Sequence, residues 1–565
     1  TDAGPLVLTF EDLQGADEGA VRLLQDLMAL VKERPILLIF VFRPEPGAVC
    51  WQLQQLARRA YGGRSTEIQL HSLPAEASNE LIENLLQGSG GQHLVEPVRA
   101  LIRERSGGNP LYIEEIMRSL IDRGMLEPAG SRWQLVGEVL DNHIPETLHG
   151  VILARLDRLE PEARRILQMA AVIGRTFSLR VLQAITGDGQ DVRGHLAHLQ
   201  RAELIREQRR GIEQAFVFAH SLTQQVAYET LLRRQRRDYH RRVAQSIETL
   251  YADRLEEQYE RLAYHYATAE AWAPALEYHI RFAHQAQVRF ANDKAAEHYR
   301  RAWEILHSGR AGDEGTACVL HEAQGHLEFL AGNYQAARSH FGAALSRAQT
   351  PAHQARLLRK LGNVCQSSGD YEQGILHLRN GLALAASGGN IAELASLYTG
   401  LGQIYHRRGD FQKAVALGLE SVTIFERIND RQGMALASNL LGIAYWSMAR
   451  LDTARDYHEK GLRIYASVGD VYGLAAAYNN LGRVLADLGE LDAALNSFRQ
   501  SQQLCKEIGY QHGLATALSH MSEIYQRQGQ TEDAWTCQEQ AFEIYNHIGF
   551  DGLDMQPEVL KMQVW

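Results

Sequence analysis

The chain has 565 residues, 45% of them hydrophobic and 22% charged, with a formal net charge of −10. That length exceeds one core and implies several domains, and the negative balance argues against nucleic acid as the main partner. Five dispersed cysteines (Cys50, Cys318, Cys365, Cys505, Cys537) without a CxxC pair argue against a disulfide framework or a thiolate zinc cluster and suit a cytoplasmic setting. No apolar run approaches the roughly 20 residues that span a bilayer, so no membrane association is expected. The opening Thr1-Asp-Ala-Gly lacks a methionine, a basic region and a signal-like core, and reads as a chain cut inside a domain.

The first element is the run Pro5-Leu-Val-Leu-Thr-Phe-Glu-Asp12. Its continuous apolar character predicts a buried parallel strand, with Glu11 and Asp12 at the carboxyl edge where open α/β sheets bind ligands. Val21, Leu24, Leu27, Met28 and Val31 then recur at helical spacing over Asp17 to Lys32. A second apolar run, 35–42, is stopped by Arg43-Pro-Glu-Pro, and a third short strand is expected at Glu67 to Leu70. Strands alternating with helices predict a parallel α/β sheet, which sets Arg43 at the same edge as Glu11 and Asp12. A guanidinium there suits a γ-phosphate, and a solvated loop arginine is an equal reading. The chain contains no GxxxxGK[ST] loop, whose amides and lysine carry most phosphate binding, so it is not expected to hydrolyse ATP alone.

Leu73-Pro-Ala-Glu-Ala-Ser opens a helical stretch with Ser78 as its cap, and Gly88-Ser-Gly-Gly91 marks a loop. Gly108-Asn109-Pro110-Leu111 starts a helix whose first amides either face an anion or simply begin the helix. Helices over Thr147–Leu159, Pro161–Ala171, Leu179–Thr186 and Val192–Ala202 precede two strands, from Leu204 and over Gln214–His220. Helices followed by a two-stranded ribbon predict a winged helix, a fold able to bind DNA. The arginines 233, 234, 236, 237, 241 and 242 read as the solvated face of an amphipathic helix, with Leu231, Leu232, Val243 and Ile247 on the other side.

From residue 361 a period of 40 dominates: Leu361-Gly362, Leu401-Gly402, Leu441-Gly442, Leu481-Gly482 and Met521-Ser522 recur, with turns in register at 369, 409, 449, 489 and 529 and again at 389, 429, 469, 509 and 549. Two helices per unit at a fixed period predict a helical solenoid. A looser unit surrounds Tyr334, and two weaker ones cover Leu262–Ala283 and Phe290–Leu306. The tail 557–565 either caps the stack or continues it. The predicted division is 1–75 α/β half-core, 76–143 helical lid, 144–235 winged helix, 236–320 degenerate repeats and 321–565 regular repeats.

Two resemblances follow from these motifs. The run LVLTFEDLQGAD, a helix, and then ILLIFVFRPE resemble the second half of a STAND-type AAA+ ATPase core, the signal-transducing group that includes MalT-like regulators and the ATPase regions attached to some adenylyl cyclases. The resemblance implies a partial P-loop NTPase fold, with Glu11 and Asp12 as Walker B residues toward magnesium and Arg43 as the sensor. Asp12 would be the catalytic candidate in an intact enzyme. It also implies that Pro110 contacts a nucleotide base and that His220, in Phe216-Val-Phe-Ala-His220, meets phosphates in a closed state; a structural role suits that histidine equally. ATP or ADP with magnesium would be cofactors of the intact protein, bound tightly only outside this chain alone, and the ATPase core would support self-assembly. The family's LHWAD wording is Leu13-Gln-Gly-Ala-Asp17 here, which weakens the expectation of hydrolysis.

The pattern LGxxYxxxGDYxxAxxxxxxAL resembles the tetratricopeptide repeat, in the 40-residue variety of LGN-like and kinesin-light-chain-like adaptors. It implies an all-α superhelix whose groove is lined by first helices. Tyr405, Tyr445, Asn479, Asn480 and Arg483 are its candidate peptide-binding residues, with packing and solvation as the alternative roles. Three functions are therefore expected: a repeat sensor controlling a nucleotide switch, a scaffold with a non-catalytic ATPase remnant, or a winged-helix transcription regulator.

Overall fold

The computed structural model describes residues 5–547 apart from 17, 33, 44, 46, 88–92, 95, 130–131, 136–144, 188–190, 211–212 and 290. The expected loop at Gly88–Gly91 and the tail 557–565 lie outside these residues. Thr1–Ala252 and Asp253–Trp565 form separate compact units.

In the first unit, β1 (Leu6–Phe10), α1 (Glu18–Leu30), β2 (Ile36–Phe40) and α2 (Trp51–Ala60) follow in order. The strands pair in parallel from Leu6↔Ile36 to Phe10↔Phe40, with α1 as the crossover. One sheet face carries Phe10, Leu38 and Phe40 onto Val21, Leu24 and Met28 of α1 and Leu53 of α2. Val7 and Leu37 on the other face remain 58% and 56% exposed, so this small parallel sheet is covered on one side only. The third strand expected at Glu67–Leu70 is absent. That stretch is extended coil with Ile68 and Leu70 exposed, because no neighbouring strand or helix covers its apolar residues.

Next come α3 (Ala75–Gln87), β3 (His93–Leu94), α4 (Glu96–Ser106), α5 (Pro110–Asp122), β4 (Leu126–Ala129) and β5 (Arg132–Leu135). Ile82, Leu86, Ile102, Ile113, Ile116 and Leu120 form their core. Ser78 is not a cap: α3 starts at Ala75, directly after Pro74, and Ser78 lies within its first turn. The small sheet β3-β5-β4 was not expected in a helical lid. Gly108 holds φ 76, and a Cβ there would stand 2.3 Å from the Leu73 carbonyl oxygen, so only glycine fits this turn. Asn109 caps α5 by accepting a hydrogen bond from the Tyr112 amide at 3.3 Å.

The unit ends with α6 (Leu148–Leu156), α7 (Pro161–Ile173), β6 (Thr176–Ser178), α8 (Leu179–Thr186), α9 (Val192–Arg201), β7 (Ile205–Arg210), β8 (Glu213–Phe218), α10 (Ser221–Glu229) and α11 (Arg233–Leu250). The expected helices and ribbon are present in order, and β6 adds a third strand to an antiparallel sheet β6-β8-β7. Phe177 packs on Phe216 and Phe218 with ring centroids 5.8 and 5.7 Å apart. Helix α11 packs on α7 and α8, and Arg242 donates to the Ile185 carbonyl. The compact unit therefore runs to Ala252, beyond the boundary at 235 that the sequence suggests.

The second unit is helical. It contains α12 (Tyr259–Thr268), α13 (Trp272–Val288), α14 (Asn292–His307), α15 (Glu314–Leu330), α16 (Tyr334–Arg347), α17 (Pro351–Ser367), α18 (Tyr371–Ser387), α19 (Ile391–Arg407), α20 (Phe411–Arg427), α21 (Arg431–Ser447), α22 (Leu451–Val468), α23 (Val471–Asp487), α24 (Leu491–Glu507), α25 (Gln511–Arg527) and α26 (Thr531–His547). From α15 onward these pair as hairpins. The recurrent Gly-Asp turns serve two purposes: the glycine takes the left-handed conformation, and Asp370, Asp410 and Asp470 cap the next helix. The recurrent Leu-Gly has a packing cause, since a Cβ on Gly482 would stand 2.6 Å from the Phe498 ring. First helices also touch one another, α17 with α19, α19 with α21, α21 with α23 and α23 with α25. The array therefore curves with its first helices on the inner side. Among the described residues, no helix is long and apolar enough to cross a membrane.

Candidate functional site

The inner face of the array is a series of polar contacts running from one first helix to the next. At its start, Glu322 of α15 accepts from Arg356 at 3.1 Å, meets His353 at 2.8 Å and holds Lys360 at 2.9 Å, all on α17. Arg359 of α17 donates to Glu393 of α19 at 2.6 Å, and His406 of α19 meets Ser447 of α21 at 2.8 Å. Further along, Asn480 donates to Asn439 at 3.0 Å, Trp446 to Asp487 at 2.7 Å, and Arg483 to Glu523 at 2.5 Å, while His520 meets Asn479 at 2.9 Å. Two of these contacts recur one repeat apart, His406–Ser447 as Trp446–Asp487 and Asn439–Asn480 as Asn479–His520, so these positions are equivalent from repeat to repeat.

This arrangement places the five groove candidates. Asn479, Asn480 and Arg483 are 1%, 0% and 7% exposed and bond laterally between repeats. Tyr405 accepts from Arg379 at 3.2 Å and lies under the Lys413 ammonium. Tyr445 stacks on Tyr457 with centroids 5.5 Å apart. Sequence reading missed the Glu322 cluster, Arg359–Glu393 and Trp446–Asp487. The signal was available, because all of them fall on first helices at successive periods, but a single sequence does not say which side chains pair.

Burial sets the protonation of this face. It would raise the Glu322 carboxyl, but Lys360, His353 and Arg356 outweigh it and carry the group down to about 2. His326 and His406 are each pushed down to about 4 by burial, so both are neutral at pH 7.

The second candidate is the carboxyl edge of β1. Glu11, Asp12 and Arg43 follow the paired ends of β1 and β2: the parallel register aligns Phe10 with Phe40, and the Arg43 amide donates to Gln14 at 3.2 Å. Asp12 takes a left-handed backbone with φ 57. Its carboxylate accepts from Gln14 at 3.4 Å and forms an ion pair with Arg175, which precedes β6. Pro110 and His220 belong to a different neighbourhood. Pro110 is the first residue of α5, and the half-buried His220 lies in the field of Glu114, Glu115 and Arg118 on that helix, with burial pushing its pKa down. The residue that reaches the acidic strand from this half is Arg175, which sequence reading missed because it stands 163 positions away.

The fit of this edge to a divalent cation is incomplete. Asp12 is already paired with Arg175, and no cluster of three or more histidine, cysteine, aspartate or glutamate side chains able to hold a metal stands among the described residues.

The second unit is thus a repeat solenoid, and comparison with known proteins identifies its repeats. A family model described as tetratricopeptide repeat matches residues 393–467 and 473–547. An uncharacterised protein of Rhizobium meliloti (strain 1021) is 26% identical over 250 residues, taking in 43% of this chain. The match spans only 22% of that relative's length. The fold is similar to that of a signal transduction ATPase with numerous domains (STAND) protein with a tetratricopeptide repeat sensor from Pyrococcus horikoshii, at a TM-score of 0.55 and 13% identity, over 96% of this chain and 78% of that one.

Proposed function

We propose that this chain is the sensing and regulatory portion of a nucleotide-dependent switch, in which the repeat array binds a protein or peptide segment through its inner face. The observation that carries this reading is the set of partly or fully exposed polar side chains on successive first helices, Arg359, Trp446, Asp487 and Glu523, which the lateral bonds hold on the inner side where an extended partner can reach them. In the first unit, Glu11, Asp12 and Arg43 share one sheet edge, as the resemblance to STAND ATPases implies. Asp12 is engaged by Gln14 and Arg175, so magnesium and nucleotide would need donors beyond Glu11, Asp12 and Arg43. Partner binding would then act by differential affinity for two states of the switch.

Cross-linking mass spectrometry on the full chain with captured partners tests the sensor reading. Cross-links are expected on α17, α19, α21, α23 and α25, and cross-links confined to the second helices would overturn it. The switch reading has a separate test in the natural reading frame, where a GxxxxGK[ST] loop is expected within roughly 100 residues before Thr1, about the span of a domain. Its absence would leave a tetratricopeptide scaffold.

A further inference from the structure

Helix α26, the last among the described residues, carries a surface that the inner face does not explain. Along the array, each second helix presents apolar side chains to the first helix of the following repeat. Ile375 of α18 shares a core with Leu401 and Ile404 of α19, Val422 of α20 with Ala437 and Leu441 of α21, and Leu495 of α24 with Met521 and Ile524 of α25. Trp535 of α26 stands at the position of Ile375 and Leu495 in the 40-residue period, and Phe542 at that of Val422. The three earlier residues are 6–7% exposed, whereas Trp535 and Phe542 are 66% and 63% exposed. They present two large rings on one helix face, with Glu532, Asp533, Glu539 and Glu543 exposed beside them and no lysine or arginine anywhere on α26.

We propose that this face of α26 docks an amphipathic helix of another protein, apolar along one stripe and flanked by lysine or arginine. The apolar half of the argument is continuity: the face repeats the contact that Ile375, Val422 and Leu495 make with the next hairpin, so a helix fits it. The basic half is charge complementarity. A second copy of the chain would set one acidic helix against another, and like charges across an interface oppose association. Residues 548–565 bring Asp551, Asp554 and Glu558 against Lys561, so they do not supply the complementary charge either.

The test titrates the 565-residue chain with a fluorescent synthetic helix of about 18 residues, enough for five turns, with leucine at i, i+3, i+4 and i+7 spacing and lysine on both flanks. Saturable binding is expected, weakened at least tenfold by W535A/F542A and also weakened at high salt, as screened charge pairs require. A matching peptide with glutamate in place of lysine is expected not to bind. Both rings are exposed, so the double variant should keep its circular dichroism. As an independent check, the E532K/D533K/E539K/E543K variant is expected to exchange preference toward the glutamate peptide. Equal binding of the lysine peptide to W535A/F542A, or equal binding of the two peptides to the unaltered chain, overturns the proposal. So does a dimer in sedimentation that W535A/F542A abolishes, which assigns the face to a second copy. Binding seen only after deletion of 548–565 overturns it as well, because the chain's own residues would then be the occupant.

Discussion

Ala449 and His458 are positions where single residues depart from the pattern of their neighbours. Ala449 holds φ 57 in the turn where Gly369, Gly409, Gly489 and Gly529 hold φ between 76 and 84. A Cβ in the left-handed region costs about 1–2 kcal/mol, while glycine loses more chain entropy on folding, by about 0.5–1 kcal/mol. Ala449→Gly is therefore expected to raise stability by about 0.5 kcal/mol, seen as a higher denaturation midpoint; a lower midpoint would contradict the strain. His458 is fully buried beneath Gly442, and neither ring nitrogen has a hydrogen-bond partner. In the next hairpin the same place under Gly482 is filled by Phe498. Leaving a buried polar group unpaired costs about 1–3 kcal/mol, so His458→Phe is expected to stabilise the chain by about 1 kcal/mol in urea titration.

At the scale of elements, the contact most exposed to a single change joins α5 to α6. Arg155 is 6% exposed at its side chain and Glu115 2%, and the two form an ion pair 2.5 Å apart. Arg155 also donates to the Ala202 carbonyl at 2.8 Å, which ties α6 to the end of α9. Breaking one partner of a buried pair leaves an uncompensated charge and costs about 3–5 kcal/mol. Glu115→Ala is expected to lower the first unit's unfolding midpoint, whereas the double replacement of Glu115 and Arg155 by apolar residues should recover much of the loss. This pair was invisible in the sequence, where 40 residues separate its members. Elements were legible wherever a period repeats. The hairpins from α17 onward follow from the Leu-Gly and Gly-Asp registers, and β1, α1 and β2 from their apolar runs. Elements made of two to four residues, such as β3, β4 and β6, carry no period and were missed. Glu67–Leu70 shows the converse error, since alternation alone does not supply a neighbouring strand. Of the site, the shared edge of Glu11, Asp12 and Arg43 was legible because strand order dictates it. The Arg175 contact was not, because only tertiary packing brings residue 175 to residue 12.

At the scale of the whole molecule, buried neutral histidines predict how stability responds to acid. Burial pushes His240, His298, His326 and His406 down to about 4, and His279 and His458 down to about 3. An unfolded histidine titrates near 6.5, so between that value and the folded one the unfolded chain binds more protons than the folded chain. Stability therefore falls as pH drops below about 6.5 and goes on falling to about 3–4, each histidine contributing about 1.4 kcal/mol per pH unit inside its window. Glu322 adds loss in the same direction at lower pH. Its folded carboxyl is carried to about 2, so its contribution is present above the unfolded value near 4.5 and disappears on the way down. Five of the six histidines lie in the repeat unit, which is thus expected to lose more stability on acidification than the first unit. Urea titrations at intervals from pH 8 to pH 5 measure the slope directly. It should be shallow above pH 7 and steepen below 6.5, and the combined variant H326Q/H406Q/H458F should remove up to three protons' worth of it. A stability that stays flat down to pH 5 would mean that these imidazoles reach water in the folded chain, against their burial between helices.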